Sequence, residues 1–100
     1  MVHAHPRRFA RARLERIGPF TTKALKELKK VGPAADHILS KIRQYAANPD
    51  DLANNVKALK GRQEYRLRVG DYRVLFVILE DDTMAIMEIT AIRHRSKAYD

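Results

Sequence analysis

The dipeptide Gly70-Asp71, set between "YRLRV" and "YRVLFVIL", constrains this chain more than any other feature. Both flanks are rich in β-branched and aromatic residues, and a two-residue turn whose first glycine supplies a positive φ marks a hairpin of the II′ type. Val69 then pairs with Tyr72. In that register Arg68 lies opposite Arg73, and side-chain alternation brings Arg66 to the same face. Like charges directly opposite one another destabilise a strand pair, so the arrangement costs stability unless carboxylates or a bound anion offset it. A solvated outer face with scattered arginines is the ordinary alternative, and the rest of the chain must decide between the two.

The run "YRVLFVIL" is apolar on both faces beyond Arg73, which places it at the centre of a sheet with helices over one side. Three strands are expected: about Glu64 to Val69, Tyr72 to Leu79 and Met84 to Ile92, the last two joined by a turn at Asp81-Asp82-Thr83. Upstream, Thr21 or Thr22 caps a helix in which Leu25, Leu28 and Val31 share a face and Lys26, Lys29 and Lys30 meet water; Gly32-Pro33 ends it. A second helix opens at Pro33. Ala35, Ile38, Leu39, Ile42, Tyr45 and Ala46 recur in it at helical spacing, and Asn48-Pro49 closes it. The segment "LANNVKALKG" reads as irregular. Leu14 to Phe20 offers a short first strand that Gly18-Pro19 interrupts. The fold class is therefore α+β: an antiparallel sheet, built from a three-stranded meander plus this N-terminal strand, packed against an antiparallel helix pair.

A chain of 100 residues with a hydrophobic fraction of 45% makes one domain and one modest core. We expect that domain over residues 14–100, preceded by a basic, loosely attached arm at residues 1–13. There is no cysteine, which removes disulfides, thiolate catalysis and cysteine–zinc sites together. His3 and His5 in the arm, and His37 beside Asp36, lack the spacing of a metal site, so no metal and no cofactor is expected. No apolar run approaches the ~20 residues of a membrane span and no signal peptide is visible, which suits a cytoplasmic protein with no membrane partner. The net charge of +8 points to polyanionic or acidic partners. It is concentrated in residues 1–47, with eleven lysines and arginines against three acids, so the second half is basic only locally.

The chain closes with "IRHRSKAYD". If this end folds back past the hairpin, Arg66, Arg68, Arg73 and Arg93 form one cationic basin, with Tyr99 and His94 at its rim. Guanidinium forks match phosphate oxygens in pairs, and such a cluster can stabilise the extra charge of a pentacoordinate phosphorane during RNA strand scission. The reaction needs a base for a ribose 2′-hydroxyl and an acid for the departing 5′-oxygen. No Asp or Glu offers itself, whereas neighbouring guanidiniums favour a tyrosine phenolate and histidine titrates near neutrality. Equally, a tyrosine near a chain end commonly packs or rims a site, and a lone histidine commonly decorates a surface. No GxSxG, P-loop, HExxH or glycosidase-like carboxylate pair is present.

The run "VKALKG", then "YRLRVGDYRVLFVI" and "ITAIRHRSKAY", together with the helix opening "TTKALKELKKV", resembles the RelE-like branch of the RelE/ParE toxins of bacterial toxin–antitoxin systems over about residues 20–99. The resemblance implies the small RelE-like fold and the activity of a type II toxin: a ribosome-dependent mRNA endoribonuclease that inhibits translation by metal-independent cleavage in the ribosomal A site, leaving a cyclic phosphate. It further implies Tyr99 as base, Arg93 as acid and Arg73 as phosphate stabiliser, with His94 an alternative source of the proton. Arg66, Arg68, Arg95 and Lys60 are expected to hold RNA phosphates. The implied partners are the 70S ribosome, mRNA, and a cognate antitoxin whose acidic, partly disordered segment binds in a hetero-oligomer. Two other classes stay open: a ParE-like inhibitor of DNA gyrase on the same fold, and a non-enzymatic basic module that binds nucleic acid or an acidic partner.

Overall fold

The computed structural model describes residues 14–59, 61, 63–80 and 85–97. The basic arm with His3 and His5, Lys60, the turn at Asp81-Asp82-Thr83, and Tyr99 lie outside the described residues.

The hairpin forms in the expected register. β3 (Tyr65–Val69) and β4 (Tyr72–Glu80) run antiparallel, with Val69 opposite Tyr72 and Arg68 opposite Arg73. Gly70 has φ +57° and no described non-glycine residue has a positive φ, so only the first turn residue is left-handed and the turn is II′ rather than I′. β5 (Ala85–His94) pairs antiparallel with the far side of β4, which is central as its apolar sequence requires. Between Leu75↔Ala91 and Phe76↔Ile89 the ladder carries one extra residue, Thr90, a bulge that keeps Phe76 and Ile89 on the helix-covered face.

Two strands complete a five-stranded sheet of order β1-β5-β4-β3-β2. β1 (Leu14–Phe20) runs parallel to β5, and β2 (Val56–Ala58) runs antiparallel to β3, so the sheet is antiparallel over four of its five strands. Gly18-Pro19 does not end the first strand. An edge strand tolerates proline because one side of its backbone needs no partner, and the pairing skips there, from Ile17↔Met87 to Phe20↔Ile89. The segment read as irregular is ordered: Pro49–Asn55 forms a 3-10 turn that buries Leu52, and Val56–Ala58 then joins the sheet.

Helix α1 (Thr22–Lys30) is capped by Thr21, whose Oγ1 accepts the Ala24 N–H at 3.1 Å. The same hydroxyl donates to the Thr90 carbonyl at 3.1 Å and the Thr21 N–H donates to that of Ile89 at 2.9 Å, so one residue both starts the helix and ties it to β5. That tie fixes the rotation of α1. Ala24 is wholly buried with Leu28 and Val31 packed on the core, whereas Leu25, about 100° round the helix, is 42% exposed and not the core residue its hydrophobicity suggests. A 3-10 turn at Gly32–Ala34 leads into α2 (Ala35–Ala47), which buries Ile38, Ile42, Tyr45 and Ala46 on one stripe.

The helices lie on one face of the sheet, α1 against β5 and α2 against β1 and β3. Ile38, Ile42 and Tyr45 meet Leu67, Val74, Phe76, Met87 and Ile89 in a fully shielded core. Each large apolar side chain there contributes roughly 1.5–3 kcal/mol by leaving water. The Tyr45 ring sits 5.3 Å from that of Phe76, and burial, reinforced by Tyr65 and Asp50, keeps its phenol protonated by raising its pKa. A smaller cluster of Leu59, Leu75 and Ala91 packs on the opposite face.

Candidate anion-binding site on the open sheet face

Strand register builds the site. Arg68 of β3 is abreast of Arg73 of β4, which is abreast of Arg93 of β5. With strands about 4.8 Å apart, the row of three spans roughly 10 Å across the face opposite the helices. Two residues along β3, Arg66 is abreast of Lys57 in β2 and of Leu75 in β4. The sequence missed Lys57 because β2 itself was not visible in it. Arg66, Arg68 and Arg73 line a groove of about 490 Å³ together with Asn54 and Lys57.

Arg73 occupies the middle of the row and is the most constrained of its members. Its Nη1 donates to the carbonyls of Gly70 and Tyr72, both at 2.9 Å, so the hairpin turn holds the guanidinium. Its pKa lies below the usual arginine value, through partial burial first and then through the charges of Arg66, Arg68 and Arg95, with Asp71 acting in the opposite sense. The fold thus concentrates positive charge at a cost, and an anion placed on the row offsets the part of it that comes from like charges.

The residues after Arg93 divide. His94 does not join the arginine row. Alternation carries it to the helix side of β5, where it is abreast of Tyr72 and packs edge-on against that ring at 5.5 Å. The Ser96 N–H donates to His94 Nδ1 at 3.3 Å, and the Ser96 hydroxyl lies 3.0 Å from the same nitrogen. Arg95 returns to the hairpin: its N–H donates to the Asp71 carbonyl at 2.7 Å, and its Nε lies 3.5 Å from Asp71 Oδ1. That ion pair is exposed and worth little energetically, but it closes the 3-10 turn Arg95–Lys97 onto the turn that holds Arg73. Glu27, which the sequence did not single out, reaches from α1 to accept the Ile92 N–H at 2.9 Å. Lys60 and Tyr99 lie outside the described residues. His37 is exposed, and among the described residues no group of three His, Asp or Glu side chains could hold a metal. No helix among them is long and apolar enough to cross a membrane.

A helix pair thus packs on one face of a mostly antiparallel sheet, with a row of arginines on the other. The family described as "ParE toxin of type II toxin-antitoxin system, parDE" matches residues 19–99, and the chain belongs to it: it is a type II toxin of the RelE/ParE superfamily. Solved structures agree on the fold. The archaeal RelE–RelB complex from Pyrococcus horikoshii is similar with a TM-score of 0.64 at 24% identity, over 83% of this chain and 97% of that one. A RelBE toxin–antitoxin complex from Mycobacterium tuberculosis aligns with a TM-score of 0.55 at 28% identity, over 82% and 93% of the two chains. The YoeB/ParE toxin from Agrobacterium tumefaciens aligns at 0.60 and 17% identity, over 75% and 93%. A comparison with curated proteins returns no match.

Proposed function

We propose that this toxin is a metal-independent endoribonuclease that cuts mRNA in the ribosomal A site. The observation that carries the reading is the row Arg68–Arg73–Arg93, abreast on three neighbouring strands with Arg66 beside it. Guanidiniums at that spacing suit the non-bridging oxygens of a scissile phosphate and the added negative charge of its phosphorane. In the step proposed, the ribose 2′-oxygen attacks phosphorus as its proton passes to a base, the bond to the 5′-oxygen breaks as an acid protonates it, and a 2′,3′-cyclic phosphate and a 5′-hydroxyl result.

Arg73 stabilises the phosphorane, with Arg66 and Arg68 adding charge; Arg95 and Lys60 extend the phosphate contacts. Tyr99 is the proposed base, by resemblance. For the acid, the place of His94 on the helix side of the sheet favours Arg93. A shallow row of arginines does little to align a 2′-oxygen for in-line attack, and alignment is worth several orders of magnitude, so the ribosome supplies the geometry. The complexes from Pyrococcus and Mycobacterium support an antitoxin as partner, and the chemistry favours an acidic, partly disordered segment. Translating ribosomes place the activity in the cytoplasm.

Induced expression followed by 5′-end mapping of transcripts tests the reading: new ends confined to translated frames support it, and growth arrest without them counts against it. The description of the matching family as ParE favours a second reading, inhibition of DNA gyrase, which a supercoiling assay with purified gyrase tests directly.

A further inference from the structure

The three arginines abreast on the sheet do not share one cavity. Arg68 and Arg73 line the groove towards β2, whereas Arg93 lines a separate cleft of about 560 Å³ between α1 and β5, walled by Glu27, Lys30, Tyr72, His94 and Lys97. The reason lies in the strand pairing. β1 is paired with β5 only as far as Ile89, so beyond that point the margin of β5 carries no strand among the described residues, and Arg93 borders both the sheet face and the cleft behind it.

Resting on the ribonuclease reading, we propose that this cleft is a second nucleotide subsite, which holds the residue of a single RNA strand adjoining the one on the arginine row. Lys30, Arg93 and Lys97 give the cleft a positive lining, and its one carboxylate, Glu27, is engaged by the Ile92 N–H at 2.9 Å. The Tyr72 and His94 rings, 5.5 Å apart and nearly perpendicular, supply an aromatic wall. Cations that follow a backbone, beside a ring on which a base can stack, are the recurring means of holding single-stranded nucleic acid. The volume suits a ligand of nucleotide size. The Glu27 cap also separates the two classes of partner: by occupying the Ile92 N–H it withholds a backbone donor that an added peptide strand would need, and it leaves the cationic walls to a non-strand ligand.

The test uses the full chain, an uncleavable 2′-O-methyl hexanucleotide and the matching dinucleotide, with fluorescence anisotropy read from about 50 to 200 mM salt. Lys30 and Lys97 are both exposed, and an unchanged melting curve for the double variant Lys30→Gln, Lys97→Gln shows that it folds. We expect that variant to bind the hexanucleotide about tenfold more weakly. Its slope of log affinity against log salt should be shallower by roughly 1.4, two contacts at about 0.7 each for a single strand. Dinucleotide affinity, set by the arginine row, should change less than about twofold. Hexanucleotide affinity and slope equal to wild type, while Arg68→Gln weakens both ligands, overturn the subsite and leave the ribonuclease reading standing. Failure of wild type to bind either ligand overturns the subsite, while the ribonuclease reading stands or falls on the 5′-end mapping. An oligoglutamate peptide titrated in parallel completes the test: if the double variant loses it and keeps RNA binding intact, the cleft belongs to a protein and the subsite is overturned.

Discussion

Arg73 is held by the turn beside it and pushed by the charges around it. Its two carbonyl bonds at 2.9 Å stabilise the hairpin, while Arg66, Arg68 and Arg95 oppose its charge. Bonds of this kind, one exposed and one part-buried, are worth about 1 kcal/mol net and repulsion offsets part of that, so Arg73→Ala should shift stability by less than about 1 kcal/mol in urea denaturation and yet abolish toxicity. A shift of about 3 kcal/mol would make the arginine structural. For a base, a lowered folded-state pKa means that folding disfavours the protonated form, and stability on this account rises only as the pH climbs towards the ordinary arginine value, far above neutrality. The strain is therefore present throughout the physiological range. Added phosphate should raise the melting temperature of wild type more than that of Arg73→Ala, and equal shifts would deny the row its anion. At this scale the sequence read well wherever alternation was applied: Arg66, Arg68 and Arg73 share a face as the Gly70-Asp71 turn requires. The same alternation separates His94 from Arg93, and could have been applied to "IRHR" had the bounds of the last strand been known.

At the scale of elements, the turn and the helix cap are the points where single residues govern whole segments. Gly70 has φ +57° and open space where a Cβ would stand, so Gly70→Ala meets no clash and costs only the backbone penalty, about 1–2 kcal/mol by thermal melting. A loss near zero would mean that the turn relaxes to another type and that the arginine register is not fixed by it. Thr21→Ala removes the cap of α1 and its bond to Thr90 together, and should cost about 1–2 kcal/mol, with faster amide exchange in the first turn of α1. The helices, the hairpin and the central place of β4 were legible because each is written in local periodicity or turn chemistry. β2 was not, since three residues carry too little alternation and gain strand form only by pairing with β3. The parallel sense of β1, the Thr90 bulge and the inward place of Ala24 are likewise settled by contacts distant in sequence.

For the whole molecule, positive charge among the described residues gathers in two places, an arginine row on one face of the sheet and the lysines of α1 on the other side. An acidic antitoxin segment should be steered by that field, while apolar packing sets how long it stays. Raising salt from about 50 to 500 mM, where the Debye length falls below about 5 Å, should slow association with the product of an adjacent antitoxin gene and leave dissociation nearly unchanged. Insensitivity of the association rate to salt would contradict this. On the proposed reading, the arginine row acts on the phosphate of ribosome-bound mRNA. The test is primer extension on mRNA in programmed 70S ribosomes for wild type and Arg73→Ala. Wild type should give new 5′ ends within the A-site codon and the variant none; intact mRNA with wild type, alongside loss of supercoiling when the same protein meets gyrase, would overturn the ribonuclease reading.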